Sequence, residues 1–263
     1  MANNLFRIFT LFPEIFPGAL NYSITGEALK KGLWQLETVN IRDFANDKHK
    51  TVDDIPFGGG SGMVMKPDII ANALEKTLEK TLEKTLETSP ENQLNNTKSK
   101  PKIIYLSPRG QKFNQDKAIE LAKYLQQNQE INLLCGRYEG IDQRVIDYFD
   151  IEELSIGDYI ITGGEISAIV VIDAIIRNLP NILGAEESLN EESFGNGENS
   201  QFRNLLEYPH YTRPANWRNI EVPKILTSGH HQKIREWRLE QAITITKERR
   251  GDLYQKFIDN LKK

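Results

Sequence analysis

Residues 131–140 read INLLCGRYEG, a short apolar run that ends in a glycine-bearing loop. The run 131–135 is apolar but for one asparagine, which is typical of a strand buried on both faces of a parallel sheet. Gly136 and Gly140 then follow the run as residues without a side chain. This pattern predicts a strand and a loop whose backbone can approach a ligand closely.

Two further β-rich runs are followed by loops of the same kind. Lys102–Leu106 precedes the loop Ser107–Gly110, and Tyr159–Ile161 precedes the loop Thr162–Glu165. Parallel sheets bind ligands at the carboxyl ends of their strands. Three such loops within about sixty residues therefore predict one shared ligand pocket.

Strand-like and helix-like segments alternate through the first two thirds of the chain. More strand-like runs occur at Leu5–Phe12 and Leu36–Ile41, and helix-like segments occur at Asn114–Gln126 and Ile166–Asn178. This alternation predicts an α/β fold, with a mostly parallel sheet covered by helices on both faces.

The α/β pattern is interrupted by a low-complexity stretch. Residues 74–86 repeat Leu-Glu-Lys-Thr, so leucine recurs every fourth position and the apolar stripe drifts around a helix. Residues 88–100 are rich in Asn, Ser, Lys and Pro, as in a solvated loop. We interpret residues 75–100 as a surface insertion, with a partner-binding helix as the alternative.

A domain boundary is predicted near Pro180, which ends the apolar helix. An acidic, glycine-bearing stretch follows, which is typical of a linker. We predict an α/β domain at residues 1–180, a flexible acidic linker at 181–195 and a small helical domain at 196–263.

Charge is divided unevenly between these parts. The net charge of −4 and a pI near 5.7 argue against a nucleic-acid binder. Residues 201–263, however, hold 13 lysines and arginines against 7 acidic residues, and the rest of the chain carries a net −10. A basic C-terminal module suits a polyanionic partner or is a solvated helical face, and charge alone leaves both open. Ser228 is predicted to cap its basic helix, which the pair His230–His231 opens.

Several function classes are disfavoured. Cys135 is the only cysteine, and neither a signal sequence nor a bilayer-spanning run is evident, so we expect a reducing, cytoplasmic location without a membrane. The run GGGSG at 58–62 lacks the motifs that bind ATP or NAD and reads as a tight turn. The four histidines have no partners at zinc-ligand spacing, so no metal site is expected.

Seven blocks of the chain resemble one known family. They run in order across nearly the whole sequence outside the insertion: LFPEIF (11–16), DKHKTVDDIPFGGGSGM (47–63), IYLSPRGQ (104–111), LLCGRYEGIDQR (133–144), SIGDYIITGGE (155–165), EYPHYTRP (207–214) and SGHHQKIREWR (228–238). The chain thereby resembles the bacterial tRNA (guanine-N1)-methyltransferases.

The resemblance implies a SPOUT-type α/β domain with a trefoil knot at its C-terminal end, a homodimer, and a tRNA-binding helical domain. It implies methyl transfer from S-adenosylmethionine to N1 of the guanine immediately 3′ of the anticodon, which supports reading-frame maintenance. The motifs assign the cofactor pocket to the three loops identified above, with Tyr105, Leu106, Ser107, Pro108, Gly136, Tyr138, Gly140, Ile156, Gly157, Tyr159, Ile161, Gly163 and Gly164.

The resemblance also implies catalytic residues. N1 of guanine bears a proton, so a base must remove it, and a cation must stabilise charge on O6. The family's arginine matches Arg177, and its catalytic aspartate, which precedes a Ser-Phe pair, matches Glu192. Here the carboxylate is one methylene longer, and Glu139 is the second candidate base. Ser61 also departs from the family, which usually has proline there.

Other contacts and functions are compatible with the same residues. Tyr208, Tyr211, Arg213 and the basic helix are expected to contact RNA or to pack within their own domain. One alternative is a non-catalytic RNA-binding protein of the same fold, and another is a SPOUT enzyme that methylates ribosomal RNA or ribose. Magnesium is possible as a helper ion, although no ligand motif supports it.

Overall fold

The computed structural model describes residues 4–88, 102–128, 130–183, 191–195 and 201–262. The chain divides into two compact units, Met1–Ile182 and Leu183–Lys263. The predicted loop of the insertion and much of the predicted linker lie outside the described residues. The linker and domain limits therefore stay predictions.

The N-terminal unit is built on a parallel sheet. Its strands are β1 (Leu5–Thr10), β2 (Gln35–Asn40), β3 (Asp53–Asp54), β4 (Val64–Met65), β5 (Ile103–Lys112), β6 (Glu130–Cys135) and β7 (Glu152–Ser155). Five of them form one sheet in the order β2-β1-β6-β5-β7, and every neighbouring pair is parallel. Strands β3 and β4 form a separate antiparallel pair. The predicted parallel sheet is confirmed, whereas the trefoil knot stays a prediction.

The helices of this unit are α1 (Ser23–Lys30), α2 (Pro67–Thr88), α3 (Gln115–Asn128), α4 (Gln143–Phe149) and α5 (Gly164–Ile176). Helices α3 and α5 confirm the two helices predicted from apolar periodicity. The Leu-Glu-Lys-Thr repeat belongs to α2, whose first turns are buried at Ile70 and Leu74. Among the described helices there is no candidate for a membrane span.

The core lies on both faces of the sheet. Side chains alternate along a strand, so Ile104 and Leu106 of β5 point to one face while Ile103 and Tyr105 point to the other. The first face is covered by α1, α3 and α5, and the second by α2 and α4. Helices on both faces are therefore confirmed.

Two predictions near the carboxyl ends of the sheet, one of a strand and one of a loop, were wrong. Tyr159–Ile161 forms no strand, and its side chains are exposed, because these apolar residues lie in a loop beyond β7. Ser107–Gly110 is no separate loop, because β5 continues to Lys112. The register of β5 with β7 shifts between Leu106 and Gln111, which marks an irregularity of the β-bulge type.

The C-terminal unit has its own small core. It contains β8 (Asn216–Trp217), β9 (Ile220–Glu221), α6 (His231–Arg249) and α7 (Gly251–Leu261). Phe202, Leu205, Tyr208 and Ala242 are buried together. The predicted opening of the helix at His231 is confirmed, but Ser228 is not its cap. The residue preceding α6 is His230, whose backbone N–H donates to Ser228 Oγ at 3.2 Å.

Candidate active site

A cavity of 280 Å³ opens in the N-terminal unit at the ends of β6 and β7, beside the irregular stretch of β5 that follows Leu106. This volume lies near the lower limit of ordinary ligand cavities, which span about 300–1,000 Å³. All thirteen residues that the motifs assign to a cofactor line it, from Tyr105 on β5 to Gly164 at the start of α5. The structure thus brings the three predicted segments together, while their cofactor role stays a prediction.

The rim of the cavity follows the loop between β7 and α5. The Ser155 hydroxyl donates to the Gly157 carbonyl at 3.1 Å, which turns the chain directly after β7. Gly157 has φ of +155°, and a Cβ there would lie 2.5 Å from the Tyr159 ring. Glycine is therefore required at this turn, because the Tyr159 ring takes the space of a side chain.

Tyr105 of β5 and Gly136, which directly follows β6, approach each other at the wall of the cavity. A Cβ on Gly136 would lie 2.7 Å from Tyr105 Cε2 and 2.8 Å from its hydroxyl oxygen. Burial of the Tyr105 side chain raises the pKa of its phenol, so the hydroxyl stays neutral at physiological pH. The pair gives the cavity a neutral wall with exposed backbone beside it, which suits a flat, uncharged ring.

An ion pair that the sequence analysis missed holds the cavity together. Glu165, in the first turn of α5, is 1% exposed and accepts a 2.7 Å hydrogen bond from the Thr10 hydroxyl. Its second oxygen lies 2.9 Å from Arg137 Nη2, and Arg137 Nη1 donates to the Thr162 carbonyl at 3.2 Å. The guanidinium stacks 4.4 Å from the Phe12 ring centroid. The sequence did contain a signal for this pair, because Arg137 and Glu165 are opposite charges in two different glycine-bearing blocks.

The glycine-rich turn of residues 58–62 lies against the same site. It joins β3 to β4, as the tight-turn interpretation predicted. The Glu139 N–H donates to the Met63 carbonyl at 3.0 Å, and a Cβ on Gly62 would lie 2.5 Å from Glu139 Oε1. The turn therefore restricts where the Glu139 carboxylate can point, a role its sequence did not reveal.

The three candidate catalytic residues occupy different places. Glu139 lines the cavity. Arg177 follows the C-terminal end of α5, whereas the cavity lies at the N-terminal end of that helix near Gly164. Ser167 is the last residue of α5 that lines the cavity, and ten residues of helix separate it from Arg177 by about 15 Å along the axis. Glu192 belongs to the C-terminal unit.

The described residues contain no group of three or more His, Cys, Asp or Glu arranged to hold a metal ion. Cys135 is fully buried at the end of β6, and burial raises the pKa of its thiol well above the usual value. A neutral, buried thiol is a poor nucleophile. The cavity therefore offers backbone groups, a neutral phenol and the Glu139 carboxylate.

Comparison with known proteins gives one consistent result. The family model for tRNA (Guanine-1)-methyltransferase TrmD matches residues 5–256. A tRNA (guanine-N(1)-)-methyltransferase of Pelagibacter ubique is 47% identical over 97% of this chain and 98% of its own length. Proteins of that name from Wolbachia pipientis of Culex pipiens and from Clostridioides difficile are 50% and 49% identical, over 94% and 95% of this chain and 95% and 97% of their own lengths. The chain belongs to the tRNA (guanine-N1)-methyltransferase family.

Proposed function

We propose that this protein transfers a methyl group from S-adenosylmethionine to N1 of a guanine in tRNA, at the position immediately 3′ of the anticodon. The supporting observation is the convergence of all thirteen motif residues on one cavity at the carboxyl ends of parallel strands. The glycines there leave backbone groups accessible, and the neutral Tyr105 wall suits an adenine ring. The residues present thus fit the methyl donor.

The bound donor supplies an electrophilic methyl group on a sulfonium sulfur. The protein must remove the proton from guanine N1 and stabilise the negative charge that builds on O6. We assign the first role to Glu192 and the second to Arg177, because their positions match the family motif. Glu139 is the second candidate for the base, since its carboxylate lines the cavity.

The position of Arg177 supports a site shared between two copies of the chain. Its side chain cannot bridge the roughly 15 Å of helix that separates it from the cavity of its own copy. The exposed residues Ile166, Val170 and Asp173 of α5 share one helical stripe with Arg177, at spacings of four, three and four. If this stripe faces a second copy, Arg177 faces it too.

Exposed apolar residues of this stripe and of the loop before α5 support a homodimer, which we propose for this protein. Ile160 is 80% exposed, and Ile166 and Val170 are 55% and 43% exposed. Exposed apolar patches of this kind mark interaction sites. We expect the purified protein to sediment as a dimer, and Ile166→Glu with Val170→Glu to produce monomers.

The activity is tested by methyl transfer from labelled S-adenosylmethionine to an unmodified tRNA with guanine 3′ of the anticodon, followed by mapping of the methylated atom. We expect product at guanine N1 for the wild type and a loss of at least a hundredfold for Glu192→Gln. Full activity of Glu192→Gln would assign the base to Glu139, and Glu139→Gln is therefore assayed in parallel. A tRNA with adenosine at the target position distinguishes this activity from ribose methylation.

The shared site is tested by complementation. Gly136→Val blocks the cavity, and Arg177→Ala removes the cation; each homodimer should be nearly inactive. In a mixed dimer, the Arg177→Ala copy keeps an intact cavity and the Gly136→Val copy keeps its arginine. If Arg177 acts across the interface, these two combine into one complete site. Activity near half of wild type per dimer is the expected result. Mixed dimers as inactive as the parents would exclude a site completed by the second copy.

The non-catalytic alternative predicts binding of S-adenosylmethionine and tRNA with no product from the wild type. The proposed substrate places the enzyme in the cytoplasm. Magnesium dependence is tested in the same assay with excess chelator, where a loss of product that added magnesium restores would show that the ion assists the reaction.

A further inference from the structure

Residue Glu191, directly before the proposed base, is held by two donors of the C-terminal unit. The Tyr208 hydroxyl donates to Glu191 Oε2 at 2.9 Å, and Arg238 Nη1 donates to the same oxygen at 3.0 Å. Tyr208 precedes the hairpin β8–β9, and Arg238 lies on α6. Two segments that are distant in sequence thus converge on one carboxylate oxygen.

The residues after Glu192 are held as well. The Glu207 N–H donates to Ser193 Oγ at 2.9 Å, and the Phe194 N–H donates to the Leu205 carbonyl at 2.9 Å. Phe194 has φ of +69°, a conformation that costs a non-glycine residue about 1–3 kcal/mol. Such strain persists only where surrounding contacts impose it. The chain is therefore anchored on both sides of Glu192.

The anchor itself is rigid. Tyr208 is 8% exposed and packs 5.8 Å from the Phe202 ring in the core of the unit. The Arg238 guanidinium lies 4.8 Å from the Tyr208 ring centroid, a cation–π contact that holds the two donors together. Burial and then Glu191 raise the pKa of Tyr208 to about 12, so its hydroxyl remains a donor throughout the working pH range.

We infer that Glu191, Tyr208 and Arg238 form a clasp that positions Glu192 for proton removal, an inference that rests on the proposed function. The three are positioning residues, because they act through the backbone of their neighbour rather than on the substrate. The clasp also makes the base part of the C-terminal unit, so that the module proposed to dock tRNA carries the base with it.

The test uses Glu191→Gln, Tyr208→Phe and the double variant in the full-length protein, with Glu240→Gln as the control for loss of an exposed carboxylate on α6. Tyr208→Phe removes one oxygen and keeps the ring that packs in the core. We measure the affinities for tRNA and S-adenosylmethionine, and the single-turnover rate of methyl transfer at saturating concentrations of both. Both affinities should stay within twofold, while the rate falls at least tenfold in each single variant. The double variant should be no slower than the slower single variant.

Amide hydrogen exchange supplies a readout that does not depend on activity. Residues 191–195 should exchange faster in Glu191→Gln and Tyr208→Phe, while α6 and α7 exchange as in the wild type. If the wild type is active, unchanged exchange rates of residues 191–195 in the two variants would overturn the clasp. Weaker tRNA binding with an unchanged methyl-transfer rate at saturation would also overturn it, because that result indicates an RNA contact. If the wild type forms no methylguanine, the proposed function is wrong, and hydrogen exchange alone then tests whether the clasp exists.

Discussion

At the scale of the residue, the contact between Gly136 and Tyr105 controls the shape of the cavity. We predict that Gly136→Ala weakens S-adenosylmethionine binding at least tenfold, about 1.4 kcal/mol. The added methyl would lie 2.7 Å from the buried Tyr105 ring, which must move into the cavity or distort the loop after β6. Isothermal titration calorimetry measures the effect.

The matched control is Gly251→Ala, where an added Cβ meets no heavy atom within 4 Å. It should leave the affinity for S-adenosylmethionine unchanged. A dissociation constant for Gly136→Ala within twofold of wild type would show that Tyr105 does not shape the binding site.

Tyr138 shows how a single residue carries local strain at this site. Its φ is +59°, in the left-handed region that non-glycine residues rarely adopt, and its side chain is half exposed beside the cavity. Tyrosine is retained there at a cost in backbone energy. The role that the motif predicts for this side chain, contact with the cofactor, stays a prediction.

At the scale of the element, the Arg137–Glu165 pair joins the loop after β6 to the start of α5. We predict that Glu165→Gln lowers the free energy of unfolding by about 2–3 kcal/mol, because it leaves the Arg137 charge without its partner. This loss of stability is at or below the lower end of the losses that follow removal of one partner from a fully buried ion pair. The reason is that the Arg137 side chain is 21% exposed. Urea denaturation followed by circular dichroism measures it.

Glu120→Gln is the control, because it neutralises an exposed carboxylate, with 58% of its side chain accessible, in the same unit. Its stability should change by less than about 0.5 kcal/mol. Equal stability of Glu165→Gln and wild type would mean that the pair only orients Arg137.

Strand β7, at the edge of the sheet, is tied to its neighbours by Glu152. Lys102 Nζ lies 2.7 Å from Glu152 Oε2, and Lys117 Nζ on α3 lies 2.6 Å from Oε1. Burial acts to raise the pKa of Glu152, but hydrogen bonds from the two lysines outweigh it and the pKa is lowered. The pairs therefore stabilise the fold above the unfolded pKa of about 4.3, and this contribution is lost as the pH falls through the lower folded pKa.

We predict that Glu152→Gln is less stable than wild type by about 1–2 kcal/mol at pH 7. The difference should shrink as the pH falls below about 4, because the wild-type carboxylate is then protonated as well. Denaturation curves at several pH values provide the measurement. A difference that stays constant down to pH 2 would rule out the ion pairs as its cause.

At the scale of the whole molecule, the uneven charge distribution predicts where tRNA binds. The net +6 of residues 201–263 contrasts with −10 for the rest, and Lys233 and Arg235 are exposed on α6. Each phosphate contact releases counterions, so binding weakens steeply with salt. Lys233→Gln should weaken tRNA binding and reduce the slope of log K against log salt by about 1.

Lys30→Gln is the control, since Lys30 is an exposed lysine of the N-terminal unit paired with Glu27. It should change the slope little. An unchanged slope for Lys233→Gln together with a reduced slope for Lys30→Gln would move the RNA contact to the N-terminal unit.

The sequence by itself determined the fold class, the family and the composition of the cavity. Continuous apolar runs such as 131–135 are buried on both faces of a sheet, and glycine loops follow strands for reasons of local geometry, so both are readable without long-range information. For the same reason the ends of α3 and α5 were predicted to within about two residues.

Only the tertiary structure decided which apolar residues line the cavity instead of the core, and which charged residues form pairs. Tyr159–Ile161 reads as a strand because hydropathy does not distinguish apolar side chains that line a cavity from those in a core, whereas the more polar Glu152–Ser155 is the edge strand. Arg137 and Glu165 lie 28 positions apart in sequence. In the clasp, Glu191 lies 17 positions from Tyr208 and 47 positions from Arg238. Such contacts depend on chain topology, which brings distant segments together and which local patterns do not encode.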